Sequence, residues 1–155
     1  MWITTQTASL LTGKVTKTIY RWADDGLLRT RQENGRLQIE LVSLAHAIPI
    51  PLTASLEEAI QGAESGQASD MHWTGLLFLE GKAPDIALRW FEQAARKGHL
   101  DAMDWLARCH ANGTGTEPCL ALALRWLGEA AIHGHPIARA KLDALDRLAV
   151  ATTNL

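Results

Sequence analysis

The chain has 155 residues, 47% of them hydrophobic and 21% charged, which allows one ordinary domain or two small ones and excludes wholesale disorder. No apolar run approaches the roughly 20 residues that span a bilayer, and the start MWITTQTASLLTGKVTK lacks the basic and continuous apolar stretches of a signal peptide. Two cysteines, Cys109 and Cys119, are too few for a disulfide framework, so a reducing cytoplasm is expected.

The net charge of −2 is unevenly spread. Residues 1–46 carry Lys14, Lys17, Arg21, Arg29, Arg31 and Arg36 against Asp24, Asp25, Glu33 and Glu40, a net of +2, and the rest of the chain carries −4. A basic head on an acidic body points to a polyanion contact confined to one end.

Along the chain, Thr5 can cap a first helix that ends at Gly13. Thr16 can cap a second, KTIYRWADD, ending at Gly26. Helical spacing puts Ile19, Trp22 and Ala23 on one face and turns Lys17, Thr18 and Arg21 to the other. Two short helices about three residues apart form a helix-turn-helix. Asn34-Gly35 is a strong hairpin signal, since a type I′ turn needs two positive φ values. On its second strand Leu37 and Ile39 alternate with Arg36 and Gln38, and on the first Arg29 and Arg31 share a face. SLAHAI starts a short closing helix.

This order, and the pieces A-x-L-L-x-G, T-I-Y-R-W-x-x-x-G-L-L and N-G-R-L-Q-I, resembles the excisionase type of the mercury-resistance-regulator (MerR) superfamily over about the first 48 residues. The resemblance implies a winged helix-turn-helix whose second helix enters the major groove of double-stranded DNA. Thr18 and Arg21 would then face bases, Lys14 and Lys17 phosphates, and the wing residues Arg29, Arg31 and Arg36 the backbone or minor groove. Asp24 and Asp25 close that helix with negative charge, against the trend.

IPIPLTAS has two prolines two apart and no helical period, so residues 49–52 read as a stiff linker whose apolar residues pack on a domain. Beyond it the chain repeats. ALRWFEQAARKGH (87–99) recurs as ALRWLGEAAIHGH (123–135) at an offset of 36. The helices before them align at an offset of 32, Phe78 with His110 and Trp73 with Trp105. A fainter copy, SLEEAIQGAESGQ, precedes them and PIARAKLDALDRLAV follows. With first- and second-type helices labelled A and B, the order is B, A–B, A–B, A: an antiparallel stack over residues 53–150, with a tail at 151–155. Paired alanines let neighbours approach, Trp90 and Trp126 fill the gaps, and Trp73 and Trp105 are assigned to core ahead of a binding groove. Glycines after each B helix suit left-handed caps, and Pro84 and Pro136 suit first helical turns.

The A-x-x-W-x-x-x-A-A-x-x-G helices and glycine-bearing loops resemble the Sel-one-like repeats, relatives of the tetratricopeptide repeats. That resemblance implies a protein partner or second protomer bound through residues 53–150, and no catalysis.

Cys109, His110, Cys119, His133 and His135 fit no common zinc spacing, and Cys109 reads as a buried thiol. No nucleophile elbow, phosphate loop or carboxylate pair is present, so neither an enzyme nor a cofactor is expected. The expected fold is mainly α, a small winged head followed by a helical solenoid. The expected function is a DNA-binding regulator or accessory factor. The alternative is a protein adaptor whose winged head is an interaction or dimerisation surface. A third reading is an excision factor that bends DNA.

Overall fold

The computed structural model describes residues 1–153, with side-chain surroundings given through Arg147. It begins with a short strand, β1 (Trp2–Thr4), followed by α1 (Thr5–Thr12) and α2 (Thr16–Asp24). A hairpin of β2 (Thr30–Glu33) and β3 (Arg36–Glu40) leads into α3 (Leu41–Leu44) and a 3-10 turn at Ala45–Ala47. Six helices complete the described chain: α4 (Ala54–Glu64), α5 (Ala68–Glu80), α6 (Pro84–Arg96), α7 (Leu100–Asn112), α8 (Leu120–Ile132) and α9 (Pro136–Thr153). The helix α9 runs through three residues of the expected tail at 151–155; the last two, 154–155, lie outside the described residues.

The β1 strand is too short to show an alternating pattern, and only pairing reveals it. The sheet order is β1-β3-β2, antiparallel throughout, with Trp2 opposite Glu40 and Arg31 opposite Gln38. Ile3 and Ile39 on one face are fully buried. Because extended backbone persists through Thr4, the α1 cap falls one residue earlier than Thr5. Thr4 Oγ1 accepts the Thr7 N–H at 3.2 Å. The α2 cap also moves: Val15 occupies it without a side-chain hydrogen bond, and Thr16 is the first helical residue. Asn34 and Gly35 have φ of 50° and 72°, as a type I′ turn requires.

In the repeats, Gly66, Gly98 and Gly134 after α4, α6 and α8 all have positive φ, which reverses the chain into the next helix. Pro84 and Pro136 open α6 and α9, where a missing N–H costs no intrahelical bond. Trp90 is 1% exposed and sits in a core with Phe78, Phe91 and the Ala94-Ala95 pair. Its repeat equivalent Trp126 is only half-buried, with the Arg125 guanidinium 5.1 Å from its ring centre.

The core does not stop at residues 49–52. Ile48 and Ile50 are buried, and Ile50 lies so close to Gly81 that a Cβ there would collide with Ile50 Cγ2. Residues from Ile3 and Leu11 through Trp90 to Ala138 form one continuous apolar cluster. Polar contacts close the same seam. Glu64 Oε1 accepts from the Thr4 N–H at 2.9 Å and the Thr4 hydroxyl at 3.0 Å, and the Arg89 guanidinium donates to the Gly13 carbonyl at 3.2 Å.

Truncating Trp90, the largest fully buried side chain, removes a ring from this shared core. Trp90→Ala should destabilise the chain by about 3–5 kcal/mol, and Trp126→Ala by clearly less, read from urea midpoints.

Candidate nucleic-acid interface

The α2 helix turns Ile19 fully into the core and half-buries Trp22 and Ala23, as the spacing requires. Its opposite face is exposed. Lys17, Thr18 and Arg21 line a shallow depression of about 450 Å³ with Val15, Asp24 and Asp25. Lys14, Lys17 and Arg21 are solvent-exposed, Thr18 is half-buried, and none is covered by the repeats.

The three wing arginines differ. Arg29 precedes β2 rather than lying in it, and its guanidinium meets Glu40 at 3.5 Å. Arg31 donates to Gln38 at 2.7 Å and Glu33 at 2.9 Å, and lies 4.7 Å from the Trp2 ring centre. The strand alternation that points Ile3 and Ile39 inward places Trp2, Arg31 and Gln38 on the outer face of the sheet. Arg36, beside the turn, has no side-chain partner among the described residues, nor have Lys14, Lys17 and Arg21. Four basic groups are thus unpaired, and two wing arginines are held by the sheet.

Tyr20 was not singled out by spacing, because it lies between the two faces of α2. It is 46% exposed and lines both the depression on α2 and a cleft of about 770 Å³ beside the hairpin. That cleft is walled by Thr5, Gln6, Asn34, Arg36 and Gln38. Tyr20 therefore joins the helix surface to the wing surface.

The repeats hold a second set of polar groups. His99 and His135 occupy the N-caps of α7 and α9, accepting through Nδ1 from the N–H groups of Ala102 at 3.2 Å and Ala138 at 3.1 Å. Each follows a glycine, so the Gly-His pair at 98–99 and 134–135 was the readable signal for these caps. The other ring nitrogen of His135 meets Asp101 at 2.9 Å, and this hydrogen bond holds the Asp101 carboxyl below its ordinary pKa. Lys141 donates to both oxygens of Asp104, linking α9 to α7. His72 stacks on His99 with ring centres 4.6 Å apart. Burial, then the neighbouring His99, lowers the His72 pKa from the ordinary 6.5.

One expectation changes here. Trp73 is 48% exposed, so it is not core: it projects from α5 beyond its neighbours. Trp105 is half-buried, stacked on Phe91 at 5.7 Å with Arg108 over it at 4.2 Å. Burial raises the Cys109 thiol to about 11, leaving it protonated and unreactive at neutral pH. His110 is buried, at the place held by Phe78 one repeat earlier. No helix among the described residues is long and apolar enough to cross a membrane.

Paired antiparallel helices that recur with the same caps and small-residue contacts define residues 66–135 as a helical-repeat module. The Sel1 repeat family model matches residues 66–99 and 100–135, which are the hairpins α5–α6 and α7–α8. These stretches are Sel1 repeats. A crystal structure of a Sel1 repeat protein from Oxalobacter formigenes is similar at 30% identity with a TM-score of 0.51. The match covers 54% of this chain and 35% of that one, so this chain spans well under two thirds of that relative's length. No curated protein matches the chain. Repeats of this kind suggest a protein–protein interaction role.

The depressed His72 pKa carries a pH dependence. Below the ordinary value the unfolded chain takes up a proton that the folded chain resists, so stability is full above about pH 6.5 and falls as pH drops through the folded value. The urea midpoint should decline on acidification from neutral pH, and His72→Phe should flatten that decline.

Proposed function

We propose that residues 1–48 are a winged helix-turn-helix that binds double-stranded DNA, and that the Sel1 repeats dock a protein partner or a second protomer. The chain is then a non-catalytic regulator or accessory factor of the cytoplasm. The observation that carries this reading is the exposed face of α2, with Lys14, Lys17 and Arg21 unpaired and uncovered, next to a hairpin that presents Arg36. A duplex needs cations at its phosphates and a helix small enough to enter the major groove. The outer face of α2 meets both needs, and the cleft shared with the wing through Tyr20 gives the backbone a place to run.

The division of labour among the basic residues follows from their partners. Arg21 and Thr18 face the bases, and Lys14, Lys17 and Arg36 neutralise phosphates. Arg31 and Arg29 hold the wing in place through Gln38, Glu33 and Glu40 and contribute less to the contact. Asp24 and Asp25 border the same depression and repel phosphate, which restricts the approach to the N-terminal half of α2.

Binding of this kind releases counterions. With about four phosphates neutralised, the logarithm of the association constant should fall with the logarithm of salt at a slope of roughly −3 to −4. Fluorescence anisotropy on a duplex at several salt concentrations measures it. Arg36→Ala should reduce the slope by about 1 and weaken all sequences alike, whereas Arg21→Ala should also relax sequence preference. No salt-sensitive binding, or a slope unchanged by Lys14→Ala and Arg36→Ala together, would leave the adaptor reading in its place.

A further inference from the structure

The helix α8, LALALRWLGEAAI, is apolar nearly all round, with Arg125 and Glu129 its only charged residues. A helix of that composition belongs in a core, covered on every side. Among the described residues, α7 and α9 cover only part of it. Leu120, Leu124 and Ile132 are 69%, 41% and 78% exposed, and with Gly128 they stand at four-residue intervals along one ridge. One repeat earlier, at the offset of 36, the corresponding ridge of α6 reads Pro84, Leu88, Glu92 and Arg96. There Leu88 is buried and charged side chains take the last two places.

Gly128 supplies an independent observation. Gly62, Gly75 and Gly128 lie inside helices, where glycine is less stable than alanine. A side chain at Gly62 would collide with Asp70, and one at Gly75 with the Phe91 ring, so packing within the chain requires both glycines. At Gly128 a Cβ would meet nothing within 4 Å. No contact inside the described molecule calls for that glycine, and it sits on the uncovered ridge.

We propose that this ridge of α8 is the contact between two copies of the chain, paired antiparallel about a two-fold axis. The proposal names the second protomer in the reading that the repeats dock a protein, and it rests on that reading and not on DNA binding. A second copy is the occupant because the ridge is complementary to itself. An axis beside residue 126 brings Leu124 of each copy over Gly128 of the other, and Leu120 opposite Ile132. A protruding side chain thus meets a gap, twice, and four-residue ridges interdigitate in this way when helices cross. The charges match as well. Arg125 and Glu129 flank the ridge on one side, one turn apart, and form no ion pair with each other. The same axis sets Arg125 of one copy within reach of Glu129 of the other, which makes two pairs at the rim. A partner of uniform charge would attract one of these residues and repel the other. A single crossing of two helices covers less than the roughly 800 Å² per partner of a standard interface, so a dissociation constant of about 10 µM is expected.

The test is sedimentation equilibrium of the full chain without DNA, from about 1 to about 500 µM, a range that brackets this constant. The wild type should pass from monomer to dimer. Leu124→Glu should fold as the wild type does, because the side chain is exposed, and should weaken dimerisation by about tenfold or more. Gly128→Leu separates two readouts. In dilute monomer it should raise the Tm, since the space is open and leucine suits a helix, yet it should weaken dimerisation by about tenfold. Arg125→Glu and Glu129→Arg should each weaken the dimer by about fivefold through like-charge contact, and the two together should restore most of the loss. The proposal is overturned if the chain stays monomeric throughout, or if it builds an open series of larger oligomers, which a two-fold contact forbids. It is likewise overturned if Leu124→Glu and Gly128→Leu both leave the dimer intact, or if the exchanged pair associates no better than the single variants. Because no DNA is present, failure here is separate from failure of salt-sensitive duplex binding.

Discussion

The seam where α1 meets α4 and α6 is the contact on which the other features depend. Glu64 grips the start of α1 through Thr4, Arg89 grips its end through the Gly13 carbonyl, and Ile86 packs against Gly13 between them. Both ends of an eight-residue helix are thereby fixed to the repeats. Because only Gly13-Lys14-Val15 separate α1 from α2, fixing the first helix also sets the direction of the second. Its charged face is turned outward. A head held only by the residues 49–52 could rotate and cover that face; a head sharing one core with the solenoid cannot do so without exposing Ile3, Leu11 and Trp90.

Charge is distributed in keeping with this arrangement. The basic residues of the head fall into two groups, one paired and one unpaired. Arg29 and Arg31 are consumed in bracing a three-stranded sheet whose outer face is polar, where Trp2 adds a cation–π contact. Lys14, Lys17, Arg21 and Arg36 remain at the surface beside the cleft that Tyr20 and the wing share. The repeats use their charges differently: Asp104 with Lys141 and Asp101 with His135 tie α7 to α9. The opposite net charges of the two parts of the sequence thus have separate structural uses.

The two Sel1 repeats place the same motif in different surroundings. The first full hairpin, α5–α6, buries its tryptophan completely because α1 and α4 cover it from the other side. The second, α7–α8, packs on α9, and its equivalent Trp126 is half-buried among the described residues, with Arg125 over it. The same sequence motif therefore has two environments. Neighbours decide the burial, as expected for a solenoid in which each unit contacts only the next.

Sequence periodicity alone determined the helices of the repeats, their order and their turns, because small-residue contacts, Pro84 and Pro136 and the post-helical glycines act locally. It also determined which face of α2 is charged and that Asn34-Gly35 turns a hairpin, since both depend on spacing and backbone sterics. Only the tertiary structure decided what depends on a distant partner. The β1 strand exists because β3 is beside it, and that pairing moved the α1 cap from Thr5 to Thr4. The wing arginines carry the same charge in the sequence, and only proximity to Glu40, Gln38 and Glu33 separates Arg29 and Arg31 from Arg36. Trp73 and Trp90 likewise read as similar core residues, yet one projects into solvent and the other lies at the centre. A helical period gives a residue's direction on its own helix but says nothing of whether another element waits there to cover it.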